Sequence, residues 1–223
     1  MVVAALLLAA GSGSRLGAGI PKALVAVNGR SLLEWSLRSL HAHDDVDVIV
    51  VVAPALEAAA ITSMVSDRAQ VVTGGATRQA SVELGLAALG TTVDLVLVHD
   101  SARAFVSAGV ITDVVAALRM GAEAVVPVLP VVDTIKRVDM HGVVTGTMDR
   151  TDLRIVQTPQ GFRRDVLETA HVSAIARGST DSSDDAGLVE AIGRIVHTVP
   201  GSADAFKITT PHDLKVAEAL MAP

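Results

Sequence analysis

The sequence predicts an α/β protein: a mostly parallel β-sheet flanked by helices, with a β-hairpin arm projecting from it. Three observations carry this prediction. Short β-branched apolar runs alternate with turns and helix-period segments, the pattern of a parallel sheet covered on both faces. Several helix starts are marked by capping residues or proline. After Pro130 the alternation gives way to two strand-like runs around a polar turn.

Taken in order, the first apolar run is Val2–Leu8, followed by strands predicted at residues 46–52, 70–72, 95–98 and 124–128. Ser31 and Glu34 have the spacing of a capping box, Pro54 suits the first turn of a helix, and Ser107 precedes the periodic segment 110–118. Residues 133–138 and 143–148 flank the turn Asp139-Met140-His141-Gly142, which reads as a hairpin rather than a further crossover. Helix and strand patterns resume at 164–176, 184–192, 194–199 and 206–209, and Thr210 with Pro211 opens a final helix. With neither repeats nor a low-complexity linker, residues 1–223 read as one domain, with the arm at about 132–152.

Composition narrows the function. The 223 residues are 50% hydrophobic, enough to bury a substantial core. The apolar residues are split into runs far shorter than the roughly 20 needed for a membrane span, so a soluble protein is expected. Residues 1–17 superficially resemble a secretory segment but lack a cationic start and run straight into a Gly/Ser loop; a buried first strand is the better reading. The absence of cysteine removes disulfides, thiolate metal sites and cysteine nucleophiles, and suits a cytoplasmic setting. A net charge of −6, with three Phe, one Trp and no Tyr, argues against nucleic acid as a partner, which needs a clustered basic surface or a stacking platform.

Four segments carry chemistry. The run Ala9-Ala10-Gly11-Ser12-Gly13-Ser14-Arg15 follows the first strand, where a sheet's carboxyl edge meets its ligand. Gly11 and Gly13 let backbone amides approach phosphate oxygens, and Arg15 supplies charge; alone, such a Gly-x-Gly is more often an ordinary tight turn. The third glycine, Gly17, falls one position late for a dinucleotide fingerprint, and no Walker A lysine follows. Lys22, a short loop later, can return its ammonium to the same phosphates. Gly74-Gly75 with Arg78 and Ser81 opens a helix, Gly75 being able to expose backbone groups to a base edge. His99-Asp100-Ser101-Ala102-Arg103 ends a central strand: Asp100 suits Mg²⁺, which takes one or two carboxylates beside phosphate oxygens, whereas His99 reads as a packing residue. Asp100 as a cap and Arg103 as a surface charge are the ordinary alternatives.

Together these segments resemble the 2-C-methyl-D-erythritol 4-phosphate cytidylyltransferase family. The resemblance rests on residues 8–16, Pro21-Lys22, Gly74-Gly75 with Arg78 and Ser81, and 99–103. It continues through 133–137, Asp149-Arg150, 157–160, 183–186 and 207–209. It implies a fold of the nucleotide-diphospho-sugar transferase type, Rossmann-like, and transfer of a cytidylyl group from CTP to a polyol phosphate with Mg²⁺. By residue it implies Arg15, Lys22 and Lys207 around the α-phosphate and Ala9, Ala10, Gly11, Ser12, Gly13, Gly75, Arg78 and Ser81 as the CTP site. Asp100, Arg103, Thr134, Arg150, Thr158 and Ser183 are implied for the acceptor, and Asp100 for the metal. It further implies a homodimer interlocked by the arm, with Thr134 and Arg150 serving the partner. Ser101 and Ala104 stand where the family usually has Ala and Pro, which leaves the loop carrying Arg103 less constrained, and Ser183 stands where Thr is common. Three rivals share parts of this pattern: a ribitol-5-phosphate cytidylyltransferase, a nicotinamide-dependent dehydrogenase, which the displaced glycine disfavours, and a catalytically silent nucleotide-sensing module.

Overall fold

The first strand, β1 (Val2–Leu8), lies between β6 (Val93–Asp100) and β4 (Val48–Ala53), parallel to both; β5 (Gln70–Thr73) continues the sheet beyond β4. The computed structural model that shows this describes residues 1–11, 16–17, 19–180 and 182–221. On the other side, β11 (Gln160–Arg163) runs antiparallel to β6 and to β7 (Ala124–Pro130). The short β10 (Arg154–Val156) pairs with the far end of β7, and β12 (Val196–Pro200) runs parallel along β7. Val128 of β7 faces both Val156 and Pro200, and Ala124 faces both Phe162 and Val196. β10 and β11 therefore share one edge of β7 in succession, and β12 takes the other.

Strand residues alternate between two faces, and β1 shows why the sequence folds this way. Val3, Ala5 and Leu7 pack with Leu37, Leu40, Ile61, Ile111 and Val114, which come from α1 (Leu32–His41), α2 (Ala58–Val65) and α4 (Ala108–Arg119). Ala4 and Leu6 face the opposite layer, with Val82, Leu86, Val166, Leu167 and Leu188 from α3 (Arg78–Ala87), α5 (Arg164–Ala176) and α6 (Asp185–Glu190). Burial on both faces is what an uninterrupted apolar strand requires; each fully buried Leu contributes on the order of 1.5–3 kcal/mol. Gly161 marks one close approach: a Cβ there would lie 2.4 Å from Val114 Cγ1, so α4 can lie flat on β11 only without a side chain.

The predicted caps form. Ser31 Oγ accepts from the Glu34 N–H while the Glu34 carboxylate accepts from the Ser31 N–H, and Ser107 caps α4 through the Val110 N–H. Thr210 and Asp213 make a second box at α7 (Pro211–Leu220), with Pro211 in its first turn. The arm is the exposed hairpin of β8 (Lys136–Val138) and β9 (Val144–Thr147), extended by a bond from the Met148 N–H to the Ile135 carbonyl of 2.9 Å.

Three expectations are corrected. Pro54 does not start a helix: its carbonyl accepts from the Glu57 N–H in a turn, and α2 begins at Ala58. Residues 206–209 are not a strand: after a 3-10 turn at Ala203–Ala205 the Ile208 N–H donates to the Ala102 carbonyl at 2.9 Å, but the Thr209 N–H turns to the Asp213 carboxylate at 2.8 Å and no ladder forms. Residues 133–135 precede the arm's ladder, whose first paired strand residue is Lys136. The strands β10 and β11 and the small hairpin of β2 (Ala26–Val27) and β3 (Arg30–Ser31) had no sequence prediction.

Candidate active site at the β1/β6 switch point

The chain leaves β1 for β4 on one side and later returns to β6 on the other. The sheet order therefore reverses at β1, and side chains beyond the strand ends can hold a ligand there. The ends are level: Leu8 pairs with both Val52 and Asp100. The loops then stay in register, with Ala9 N–H donating to Val52 O, Ser101 N–H to Leu8 O and Gly74 N–H to Ala53 O. A cleft of about 400 Å³ opens above them.

One wall of the cleft is backbone. A Cβ on Gly74 would lie 2.8 Å from Ala10 Cβ, so the loops after β1 and β5 come together there only because residue 74 has no side chain, and one on Gly75 would lie 2.5 Å from Ala80 Cβ, where the loop turns back on α3. The Gly75 N–H is donated to Ser81 Oγ at 3.1 Å, and the Ser81 hydroxyl donates to the Thr77 carbonyl at 2.9 Å. Thr77 caps α3 through the Ala80 N–H and donates to the Thr180 carbonyl. Ser81 thus shapes the glycine loop from within.

The opposite wall is charged. Lys207 Nζ lies 2.7 Å from Asp100 Oδ2, Arg78 Nε 3.6 Å from Asp100 Oδ1, and Arg78 Nη1 2.7 Å from Asp185 Oδ2. Lys22 joins this wall from a 3-10 turn, Lys22–Leu24, that Pro21 introduces. Burial by itself would raise the Asp100 pKa, but Lys207 and Arg78 outweigh it and hold the carboxyl well below the usual range. Burial likewise opposes the Arg78 charge, and Asp185 and Asp100 together overcome it, raising the guanidinium's pKa.

Behind the cleft sits a supporting layer. His99 is fully buried, with Nδ1 2.9 Å from Thr158 Oγ1, and that hydroxyl accepts from the Asp100 N–H at 3.1 Å. Burial pushes the imidazole down to about 4 even though the Asp100 carboxylate pulls the other way, so it is neutral at neutral pH. The packing role read for His99 matches this geometry, and Thr158 stands between His99 and the backbone of Asp100. Arg103 also lies behind, its Nη1 donating to the Ala205 carbonyl at 2.9 Å and its Nη2 to the Val156 carbonyl at 3.1 Å. These bonds fix the loop that Ser101 and Ala104 were expected to loosen.

Of the residues singled out from sequence, Ala9, Ala10, Gly11, Lys22, Gly75, Arg78, Ser81, Asp100 and Lys207 line this one cleft. Thr158 and Arg103 support it from behind. Ser183 is exposed two residues before Asp185, and Thr134 and Arg150 are exposed in the arm region, where Arg150 Nη1 bonds the Val132 carbonyl. Ser12, Gly13 and Arg15 lie outside the described residues. Sequence reading assigned no role to Asp185 or His171, although both are buried, Asp185 paired with Arg78 and His171 with Asp185. The adjacent acids at 184 and 185 were the available signal: Asp184 caps α6 through the Gly187 N–H, and Asp185 turns inward. Among the described residues no group of three or more His, Cys, Asp or Glu side chains is arranged to hold a metal ion; the carboxylate that lines the cleft is Asp100.

A switch-point cleft with a glycine wall and clustered cations defines an α/β protein suited to a phosphorylated ligand. The chain belongs to the 2-C-methyl-D-erythritol 4-phosphate cytidylyltransferase (IspD) family, whose model matches residues 3–223. It is 53% identical to the 2-C-methyl-D-erythritol 4-phosphate cytidylyltransferase of Saccharopolyspora erythraea over the full length of both chains. Identity is 49% to that of Nocardia farcinica, covering 98% of this chain and 94% of the relative. Among solved structures it is similar to 2-C-methyl-D-erythritol 4-phosphate cytidylyltransferase from Thermus thermophilus, with TM-score 0.81 and 41% identity over 99% of this chain and 98% of that one. The 4-diphosphocytidyl-2C-methyl-D-erythritol synthase of Anaerococcus prevotii gives TM-score 0.85 and 30% identity over 99% and 98% of the two chains. No helix among the described residues is long and apolar enough to cross a membrane.

Proposed function

We propose that this protein transfers the cytidylyl group of CTP to 2-C-methyl-D-erythritol 4-phosphate, giving 4-diphosphocytidyl-2-C-methyl-D-erythritol and pyrophosphate for isoprenoid precursor synthesis. The observation that carries the proposal is the meeting of Lys22, Lys207, Asp100 and Arg78 with the glycine loops in one cleft. In this reading a phosphate oxygen of the acceptor attacks the α-phosphorus of CTP in line. The bond from that phosphorus to the oxygen bridging the β-phosphate breaks, and its electron pair leaves with pyrophosphate. The acceptor phosphate is already an anion at neutral pH, so no covalent enzyme intermediate is needed. The barrier lies in bringing two anions together and stabilising charge at phosphorus, which fixed cations lower.

Lys22, Lys207 and, through the family resemblance, Arg15 neutralise the α-phosphate. Asp100 keeps the Lys207 ammonium pointed into the cleft. Ala9, Ala10, Gly11, Ser12 and Gly13 with Gly75, Arg78 and Ser81 hold the CTP. Asp100, Arg103, Thr158 and Ser183 serve the acceptor side, Arg103 and Thr158 by fixing the loop that carries Asp100. The residues fit Mg²⁺ by donor chemistry: Asp100 would hold it as the carboxylate in the cleft lining, and Mg²⁺ takes few protein carboxylates beside phosphate oxygens. When bound, the ion supplies charge neutralisation on the phosphates.

We read residues 1–223 as a single cytoplasmic domain that works as a homodimer, with the arm carrying Thr134 and Arg150 toward the partner's cleft. Exposed Val138, Met140, Val143 and Val144 on the arm support that reading. The test is pyrophosphate release with Mg²⁺ and CTP, comparing methylerythritol phosphate with ribitol 5-phosphate as acceptor and ATP, GTP and UTP as donors. Release with CTP and methylerythritol phosphate supports the proposal. Preference for ribitol 5-phosphate would keep the mechanism and change the pathway, and CTP binding without turnover on either acceptor would favour a sensing module.

A further inference from the structure

Beneath the cleft lies a buried polar group that the transfer mechanism does not use. His171, on the inner face of α5, is 2% exposed and Asp185, at the start of α6, 1%. His171 Nε2 lies 3.0 Å from Asp185 Oδ1, and Asp185 Oδ2 lies 2.7 Å from Arg78 Nη1. On the other side of the ring, Nδ1 is 3.4 Å from Glu83 Oε1, which also accepts from Gln79 Nε2 at 3.1 Å. Gln79 in turn donates to the Ser179 carbonyl. The chain of contacts ties α3, α5, α6 and the loop before α6 to one guanidinium at the cleft.

An ionised carboxylate only accepts hydrogen bonds, so Nε2 carries the hydrogen in the His171–Asp185 contact. Asp185 is then held through both oxygens, one by His171 and one by Arg78, which fixes the direction in which it pulls the guanidinium. That direction matters because a second carboxylate competes: Asp100 Oδ1 is 3.6 Å from Arg78 Nε, near enough to attract but too far to hydrogen-bond. If Asp185 lost its orientation, Arg78 would lose the bond that holds its Nη1 at 2.7 Å from Asp185 Oδ2 and leave the CTP side of the cleft, while Lys207 keeps its own contact with Asp100 Oδ2 at 2.7 Å.

We propose that His171 is a positioning residue for CTP: by fixing Asp185 it keeps Arg78 on the nucleotide. This rests on the cytidylyltransferase reading, in which Arg78 holds CTP. His171 reaches the cleft through Asp185 and Arg78, so its removal is expected to act through the CTP contact of Arg78.

The experiment is steady-state pyrophosphate release by His171→Leu and His171→Gln, each measured below its own melting temperature. His171→Leu is expected to raise KM for CTP about tenfold, leaving kcat and the acceptor KM within about twofold. Gln can offer an N–H to Asp185 and is expected to stay within about threefold of wild type in all three constants. A lowered melting temperature with unchanged KM for CTP, or a Gln variant as impaired as Leu, would overturn the proposal. Should His171→Leu not fold, Asp185→Asn carries the same expectation and the same contrary result. If the wild-type protein releases no pyrophosphate, the functional reading fails first. Calorimetric CTP binding then decides separately: about tenfold weaker binding in the variant sustains the positioning role, and equal binding, or none to either protein, overturns it.

Discussion

The cleft and the arm handle their side chains in opposite ways. At the cleft Arg78, Asp100 and Lys207 each have an opposite charge within 4.0 Å, and the Asp100 side chain is only 12% exposed. In the arm every residue from 133 to 147 is exposed, with Met140 at 92% and apolar Val138, Val143 and Val144 beside it. A lone two-stranded hairpin is marginally stable in water, and clustered exposed apolar residues mark a surface that another one covers. Arg78, Asp100 and Lys207 find opposite charges within one chain, whereas the arm's apolar side chains stay exposed on it. Under the proposed function a second copy covers them.

The largest expected effect breaks the cleft. Lys22→Ala should lower kcat on the order of 10² to 10³-fold, as loss of a single oxyanion donor does, while the protein keeps its circular dichroism spectrum and melting temperature. Normal turnover in the folded variant would remove Lys22 from the mechanism.

The next prediction sharpens the contrast through pH. Burial takes His99 from an ordinary 6.5 down to about 4, so the unfolded chain binds the proton more readily than the folded one. Stability is then fully present above pH 6.5, declines as pH falls, and levels off below about 4. Integrated over that window the loss is on the order of 3 kcal/mol. Asp100, whose pKa is depressed, stays ionised throughout this range, and its own contribution is lost only at more acidic pH. Urea unfolding at pH 7 and pH 4.5 should show the decline in wild type and a smaller one in His99→Asn; equal declines would show that His99 is not its source.

The smallest expected effect belongs to the arm. Val144→Asp places a charge among the exposed apolar residues and should shift sedimentation toward the monomer, with turnover falling about tenfold. An unchanged monomeric mass for both proteins would leave the arm without its proposed partner.

The legible parts of the fold are those encoded locally. Val2–Leu8 and Arg164–Ala176 are found with the predicted limits, and the Ser31–Glu34 box forms as read, because apolar period and caps depend on neighbouring residues. β10 and β11 escaped because each is only three or four residues long, with Pro159 breaking the alternation between them, and Phe162 shows its burial only against β6 and α5. At the site, strand ends followed by Gly11, Lys22 and Asp100 were readable as small residues and charges at a carboxyl edge. Lys207 came only through the family resemblance, since nothing around it signals a partner as distant in sequence as Asp100. The Arg78–Asp185 pair spans 107 residues, and no local pattern announces it. Gly75 was read as exposing backbone groups, and the turn of its N–H onto Ser81 is set by a residue six positions on that no turn pattern announces.

The central claim is that an active unit needs the cleft of one chain and the arm of its partner. It is tested most directly by co-expressing Lys22→Ala with Arg150→Ala and measuring pyrophosphate release from the mixture. Each variant alone is expected to be nearly inactive. In random pairing half the dimers are mixed, and each mixed dimer has one intact cleft facing one intact arm, so the account predicts about one quarter of wild-type activity per site. Activity no greater than the average of the two variants measured separately would contradict it, because cleft and arm would then act within the same chain.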